Sequence, residues 1–119
     1  MVKGIGCDLV AVERFTDKIN NEKFLEKVFT AGERQYLVGR TLESAAGIWA
    51  GKEAVSKALG CGFLGLSYRD IEILHTKSGQ PYVNLTPNLK AKMTKLAAKN
   101  IQISITHESN QALAFVIVE

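Results

Sequence analysis

Residues 41–62 read TLESAAGIWAGKEAVSKALGCG, and the fold is decided here. Seventeen or so residues without proline, opened by Thr41 and stopped by Gly60 and Gly62, predict one long central helix over 42–59. Leu42, Ala46 and Trp49 fall on one stripe at helical spacing. Glu53 lies on the same stripe. A carboxylate in an apolar stripe must be paired or hold a cation, because an unpaired buried charge is too costly. Lys57, four residues on, makes a plain Glu–Lys surface pair the competing reading.

Upstream, residues 2–10 predict a strand, with Val2, Gly4, Gly6, Asp8 and Val10 on one face and Lys3, Ile5, Cys7 and Leu9 on a largely apolar other face. Short helices are expected over 11–20, 21–28 and from Thr30 towards Val38, the last opened by a Thr30–Glu33 capping box. Downstream, strands over 70–76 and 81–85 flank the turn Lys77-Ser78-Gly79-Gln80, a hairpin. Thr86-Pro87 opens a further helix, with Leu89, Met93 and Leu96 as its apolar stripe. Strict alternation in Ile101, Ile103 and Ile105 predicts a strand over 101–107, and 112–118 forms a last apolar strand. The order indicates an α+β fold with helices packed on a mainly antiparallel sheet, in a single domain over 1–119.

A chain of 119 residues supports one core but no deep, fully enclosed pocket, so a site built between subunits stays open as a possibility. The net charge of +3 is too mild to imply nucleic acid. Yet no acidic residue lies between Glu72 and Glu108, while Lys77, Lys90, Lys92, Lys95 and Lys99 do, which points to an anionic partner. A nucleic-acid binder using these lysines is the weaker reading, because no aromatics interleave with them for stacking. Cys7 and Cys61 have no metal or redox spacing. No stretch is long and apolar enough for a signal peptide or a bilayer span. A cytoplasmic protein with no membrane partner is expected.

Asp8 breaks the pattern of its strand. Gly4 and Gly6 beside it suggest open space for a ligand or cation, and an N-cap for the next helix is the alternative. Asp8 and Glu53 together suit Mg²⁺, which takes one or two carboxylates and fills its sphere with water and substrate phosphates. Lys52 and Lys57 would supply charge for those phosphates. His107 ends its strand on the isoleucine side, where a structural histidine is the commoner outcome.

Several ordered segments resemble the bacterial holo-acyl-carrier-protein synthases, the small 4′-phosphopantetheinyl transferases. GIGCDLVAVERF is similar to the family's GIGxDxxxxxR signature, and WAGKEAVSKALG to its W/F-x-x-KEAxxKAxG helix. FTAGERQYL, DIEI, the GQPYV turn and ISITHESNQALAFVIVE match further segments in order. The resemblance implies transfer of 4′-phosphopantetheine from coenzyme A to a serine of apo acyl carrier protein, in fatty acid biosynthesis, with Mg²⁺ as cofactor and release of adenosine 3′,5′-bisphosphate. It implies a homotrimer with sites between subunits. By position it makes Asp8 and Glu53 metal ligands, and Asp8, Glu53 and Lys57 the catalytic set. On the same resemblance Lys57, Gly79, Gln80, Pro81, Thr106 and His107 would bind coenzyme A, joined by Lys52 on the strength of its charge, and Arg14 would meet the carrier protein, with the nearby basic residues Lys18, Lys23 and Lys27 extending that surface. Three positions depart from the pattern: Ile48-Trp49 stands for a usual Arg-Phe, Gln80 for a usual basic residue and Lys27 for a usual arginine. The first removes one phosphate contact, for which Lys52 or a residue of a neighbouring subunit would substitute, or leaves a relative that binds without turning over.

Overall fold

The computed structural model describes residues 1–119. The central helix, α3 (Leu42–Ala58), organises everything else. It is buried on nearly all sides through Ala45, Ala46, Gly47, Ile48, Ala50, Gly51, Ala54, Val55 and Ala58. A helix apolar all round must be enclosed. The small residues let it lie close to two sheets. One is three-stranded and antiparallel, in the order β1 (Gly4–Ala11), β5 (Gln111–Val118), β4 (Ile101–Glu108). The other is the hairpin β2 (Ile71–His75) and β3 (Pro81–Leu85). Helices α1 (Glu22–Val28), α2 (Ala31–Leu37) and α4 (Pro87–Lys95) close the remaining sides.

The α+β expectation holds, as does the Thr30–Glu33 capping box, with both reciprocal bonds made. The helix expected over 11–20 is instead two short 3₁₀ turns, Val12–Phe15 and Lys18–Asn20. A 3₁₀ turn aligns residues three apart, and this is how Val12 and Phe15 both reach the core. The last helix runs from Pro87 to Lys95. Thr41 stands at the N-cap of α3 without accepting a bond from it. The Thr41 hydroxyl beside Glu43 holds its carboxyl below the usual carboxylate range.

The alternation in β1 resolves unexpectedly. The face carrying Gly4, Gly6, Asp8 and Val10 turns towards α3, while Ile5 and Leu9 remain 63% and 56% exposed. A side chain on Gly6 would overlap the Ala54 carbonyl oxygen, and one on Gly4 that of Ala58. The glycines therefore admit the α3 backbone, not a ligand. β5 repeats the pattern. Ala112, Ala114, Val116 and Val118 are buried, while Leu113 and Phe115 are exposed opposite Leu9 and Cys7.

Candidate active site

The close approach of β1 to α3 sets the site. Asp8 on β1 meets Lys57 on the last turn of α3, with Nζ 3.0 Å from Oδ1. Lys57 also donates to the Cys7 carbonyl at 3.0 Å. The hydrogen bond that Lys57 donates to Asp8, then the charge of Asp8, hold the Lys57 ammonium above its ordinary pKa, with Glu53 adding to the pull. Lys57 is thus a firm cation at neutral pH. Asp8 caps nothing, since the N-cap of the following turn is Ala11.

Glu53 does not pair with Lys57. Its Oε1 accepts a hydrogen bond from the Tyr68 hydroxyl at 3.1 Å. Burial, and then the charge and hydrogen bond of Glu53, push the Tyr68 phenol up to about 12, with Arg14 opposing and Asp8 adding. Asp8, Arg14, Glu53, Lys57 and Tyr68 therefore share one electrostatic neighbourhood. The second oxygen of each carboxylate takes no protein hydrogen bond. No third His, Cys, Asp or Glu joins them in a metal-binding cluster. Two hard oxygen donors with the rest of the sphere open fit Mg²⁺, which is rarely enclosed by protein alone, better than a structural zinc.

Lys52 lies elsewhere than expected. Its side chain is fully buried, with Nζ 2.8 Å from Glu33 Oε1, and Glu33 is equally buried. The same ammonium donates to the carbonyls of Tyr68 at 2.8 Å and Ile71 at 2.5 Å. With its three protons committed inside, Lys52 cannot reach a solvent-borne phosphate, nor replace the contact missing at Ile48, itself 1% exposed. Burial pushes Glu33 up and Lys52 down, each partially opposed by the other's charge. Neither the burial of this pair nor the role of Tyr68 was legible locally. Glu33 shows only as a cap residue, and Tyr68 has no motif beyond the Ser67–Asp70 box around its turn, Tyr68–Asp70.

The residues expected at the nucleotide stand apart from this cluster within one chain. Thr106 and His107 are on β4, the edge of the sheet opposite β1, with β5 between, so about 10 Å of sheet separates them. His107 Nε2 lies 3.0 Å from the Glu43 carbonyl and packs on Gly47. Thr106 faces away from α3, opposite Leu113. Gly79, Gln80 and Pro81 form the hairpin turn, where Gly79 takes φ +92°, a left-handed conformation suited to glycine. The turn is closed by Thr76, whose hydroxyl accepts from Gln80 N at 3.1 Å. Arg14 is exposed on the first 3₁₀ turn, and Lys23 and Lys27 are exposed on α1. Lys18 places its ammonium 5.9 Å and 5.4 Å from the ring centres of Phe15 and Phe24.

The family model of the 4′-phosphopantetheinyl transferase superfamily matches residues 4–116. The holo-acyl-carrier-protein synthase of Clostridium botulinum (strain Alaska E43 / Type E3) is 44% identical over 122 residues, covering 100% of this chain and 98% of that protein. That of Clostridium perfringens (strain 13 / Type A) is 41% identical over 126 residues, covering 100% and 95%. The crystal structure of the Neisseria meningitidis enzyme superposes with a TM-score of 0.90 at 31% identity, covering 100% of this chain and 99% of that one. That of Helicobacter pylori, solved in complex with coenzyme A, gives 0.85 at 34% identity, covering 97% and 99%. With full-length likeness in both sequence and fold, the chain belongs to the 4′-phosphopantetheinyl transferase superfamily, in its holo-acyl-carrier-protein synthase family.

Proposed function

We propose that this chain transfers 4′-phosphopantetheine from coenzyme A to a serine of apo acyl carrier protein, using Mg²⁺ held by Asp8 and Glu53. The observation that carries the reading is the Asp8–Lys57 ion pair beside Glu53, on a chain similar over its full length to synthases of that name. The serine oxygen attacks the phosphorus on the pantetheine side of the pyrophosphate. The bond from that phosphorus to the bridging oxygen breaks, and adenosine 3′,5′-bisphosphate leaves with the electron pair. Magnesium, when bound, supplies charge neutralisation at the pyrophosphate. Lys57, kept protonated by Asp8, donates to the departing phosphate. Glu53 has one oxygen without a protein partner and takes the serine proton. Arg14, with Lys18, Lys23 and Lys27, offers an anionic carrier a basic approach.

The proposal includes a homotrimer. Ile5, Cys7, Leu9, Leu113 and Phe115 form an apolar sheet face, on which Ile5 is 63% and Phe115 41% exposed. Such a contiguous patch marks an association surface. Thr106 lies on it, opposite Leu113. A neighbour packed there brings its Thr106, His107 and Gly79–Pro81 turn towards the carboxylates that one chain keeps apart from its own. The same reading treats residues 1–119 as one domain. It sets the protein in the cytoplasm, in keeping with two free cysteines and no helix long and apolar enough to cross a membrane.

Intact-mass spectrometry of apo carrier protein incubated with this protein, coenzyme A and Mg²⁺ tests the reading, with EDTA as the control. One added phosphopantetheine, lost with EDTA, is the expected result. No addition to any of several carriers, with coenzyme A still bound, establishes instead a relative that binds without turnover; the buried Ile48 at a usual arginine position favours that second reading.

A further inference from the structure

We propose that Tyr68 is a positioning residue for Glu53, fixing one carboxylate oxygen so that the other is presented to the metal and substrate. The inference rests on the magnesium assignment to Asp8 and Glu53. Three restraints hold the tyrosine in place. Its ring stacks on Trp49, with centroids 4.8 Å apart and planes at 20°. It also packs on Phe63 at 4.1 Å. Its carbonyl accepts from the buried Lys52 ammonium at 2.8 Å. That ammonium is in turn locked to Glu33.

Helical geometry explains why the hydroxyl lands where it does. Trp49 and Glu53 are four residues apart and share a face of α3. A ring lying along that face touches the indole with its body and the carboxylate with its tip. Lys52 and Glu53, neighbours in sequence, thus hold opposite ends of one residue: the lysine its backbone, the glutamate its phenol. The ring alone would satisfy the packing. Tyr68 is only partly buried, so its hydroxyl could bond water at no loss, yet it bonds Glu53 Oε1 at 3.1 Å. Hydrogen bonds to the spare oxygen of a ligand carboxylate orient it, and losing such a partner typically weakens metal binding about 10–100-fold.

The test is Tyr68→Phe, which keeps the stack and removes the hydroxyl. Manganese binding, followed by the electron paramagnetic resonance of the free ion with coenzyme A present, is compared across variants alongside thermal melting. The expected result is manganese binding about tenfold weaker with an unchanged melting temperature. In a Glu53→Ala background the same tyrosine substitution should change manganese binding no further, whereas a general loss of structure would weaken it in both. Unchanged binding in Tyr68→Phe, or an equal loss in both backgrounds, overturns the role of Tyr68. Asp8→Ala separates the two levels. If it weakens manganese binding while Tyr68→Phe does not, only the positioning role is wrong. If neither variant affects binding, the metal assignment falls and the positioning role with it.

Discussion

Lys52 and Glu33 form an ion pair of 2.8 Å in which neither side chain reaches solvent. Every remaining polar atom of the pair is satisfied. Lys52 donates to two carbonyls, and Glu33 accepts from the N–H groups of Thr30 and Ile73. The pair ties α2 and α3 to the segment entering β2. Removing one partner strands the other charge in the interior. Lys52→Met is expected to destabilise the fold by about 3–5 kcal/mol in chemical denaturation. Adding Glu33→Gln should restore part of that loss. A variant that kept its stability and lost only affinity for coenzyme A would return Lys52 to the phosphate-binding role.

Lys57, five residues along the same helix, should behave in the opposite way. Its pair with Asp8 is partly solvated, at 52% and 17% side-chain exposure. Asp8→Ala is therefore expected to change stability by less than about 1 kcal/mol. Transfer activity should fall roughly 10²–10³-fold. Full turnover in Asp8→Ala would remove the carboxylate from the reaction.

Arg14 is exposed on the 3₁₀ turn beside the site and makes no ion pair of its own. Arg14→Ala is expected to raise the KM for carrier protein roughly 5–30-fold, with the KM for coenzyme A nearly unchanged. Added salt should narrow the gap between variant and parent. Equal changes in both constants would place Arg14 outside the carrier surface.

Phe115 is 41% exposed on the apolar sheet face. Phe115→Lys should give a monomer by light scattering. In the proposed trimer, activity should then drop roughly 100-fold although Asp8, Glu53 and Lys57 are untouched, because a neighbour's contribution to the site would no longer be held in position. An active monomer would show that one chain suffices.

His75 stacks on Tyr36 with centroids 3.8 Å apart, and its buried Nδ1 has no partner. Burial, aided by the charge of Arg40, holds the imidazole below its ordinary pKa of 6.5. The folded state then binds this proton less readily than the unfolded chain. Stability is lost as pH falls from 6.5 through the depressed folded value. His75→Phe should flatten the melting profile across that acidic window. At pH 8 it should stabilise by about 1 kcal/mol through removing the unpaired nitrogen. An unchanged acid limb would assign the sensitivity to another group.

Much of this fold was legible in the chain. The Thr30–Glu33 box, the glycines after Leu59, the Thr86-Pro87 start and the alternation of β4 and β5 are local signals, and local backbone chemistry decides where elements begin and end. Asp8 and Glu53 stood out because a charge in an apolar pattern violates a rule that sequence alone exposes. The destinations of the lysines were a different matter. Lys52 and Lys57 sit on one helix with similar neighbours, yet one is sealed against Glu33 and the other reaches Asp8 across a strand. Which partner a long side chain meets depends on elements distant in the chain, and periodicity carries no information about them. The same holds for β1, whose alternation marks two faces without saying which is covered. Only packing decided that its glycine face receives α3, because the helix backbone comes too close for any side chain there, and that its apolar face is left for another surface.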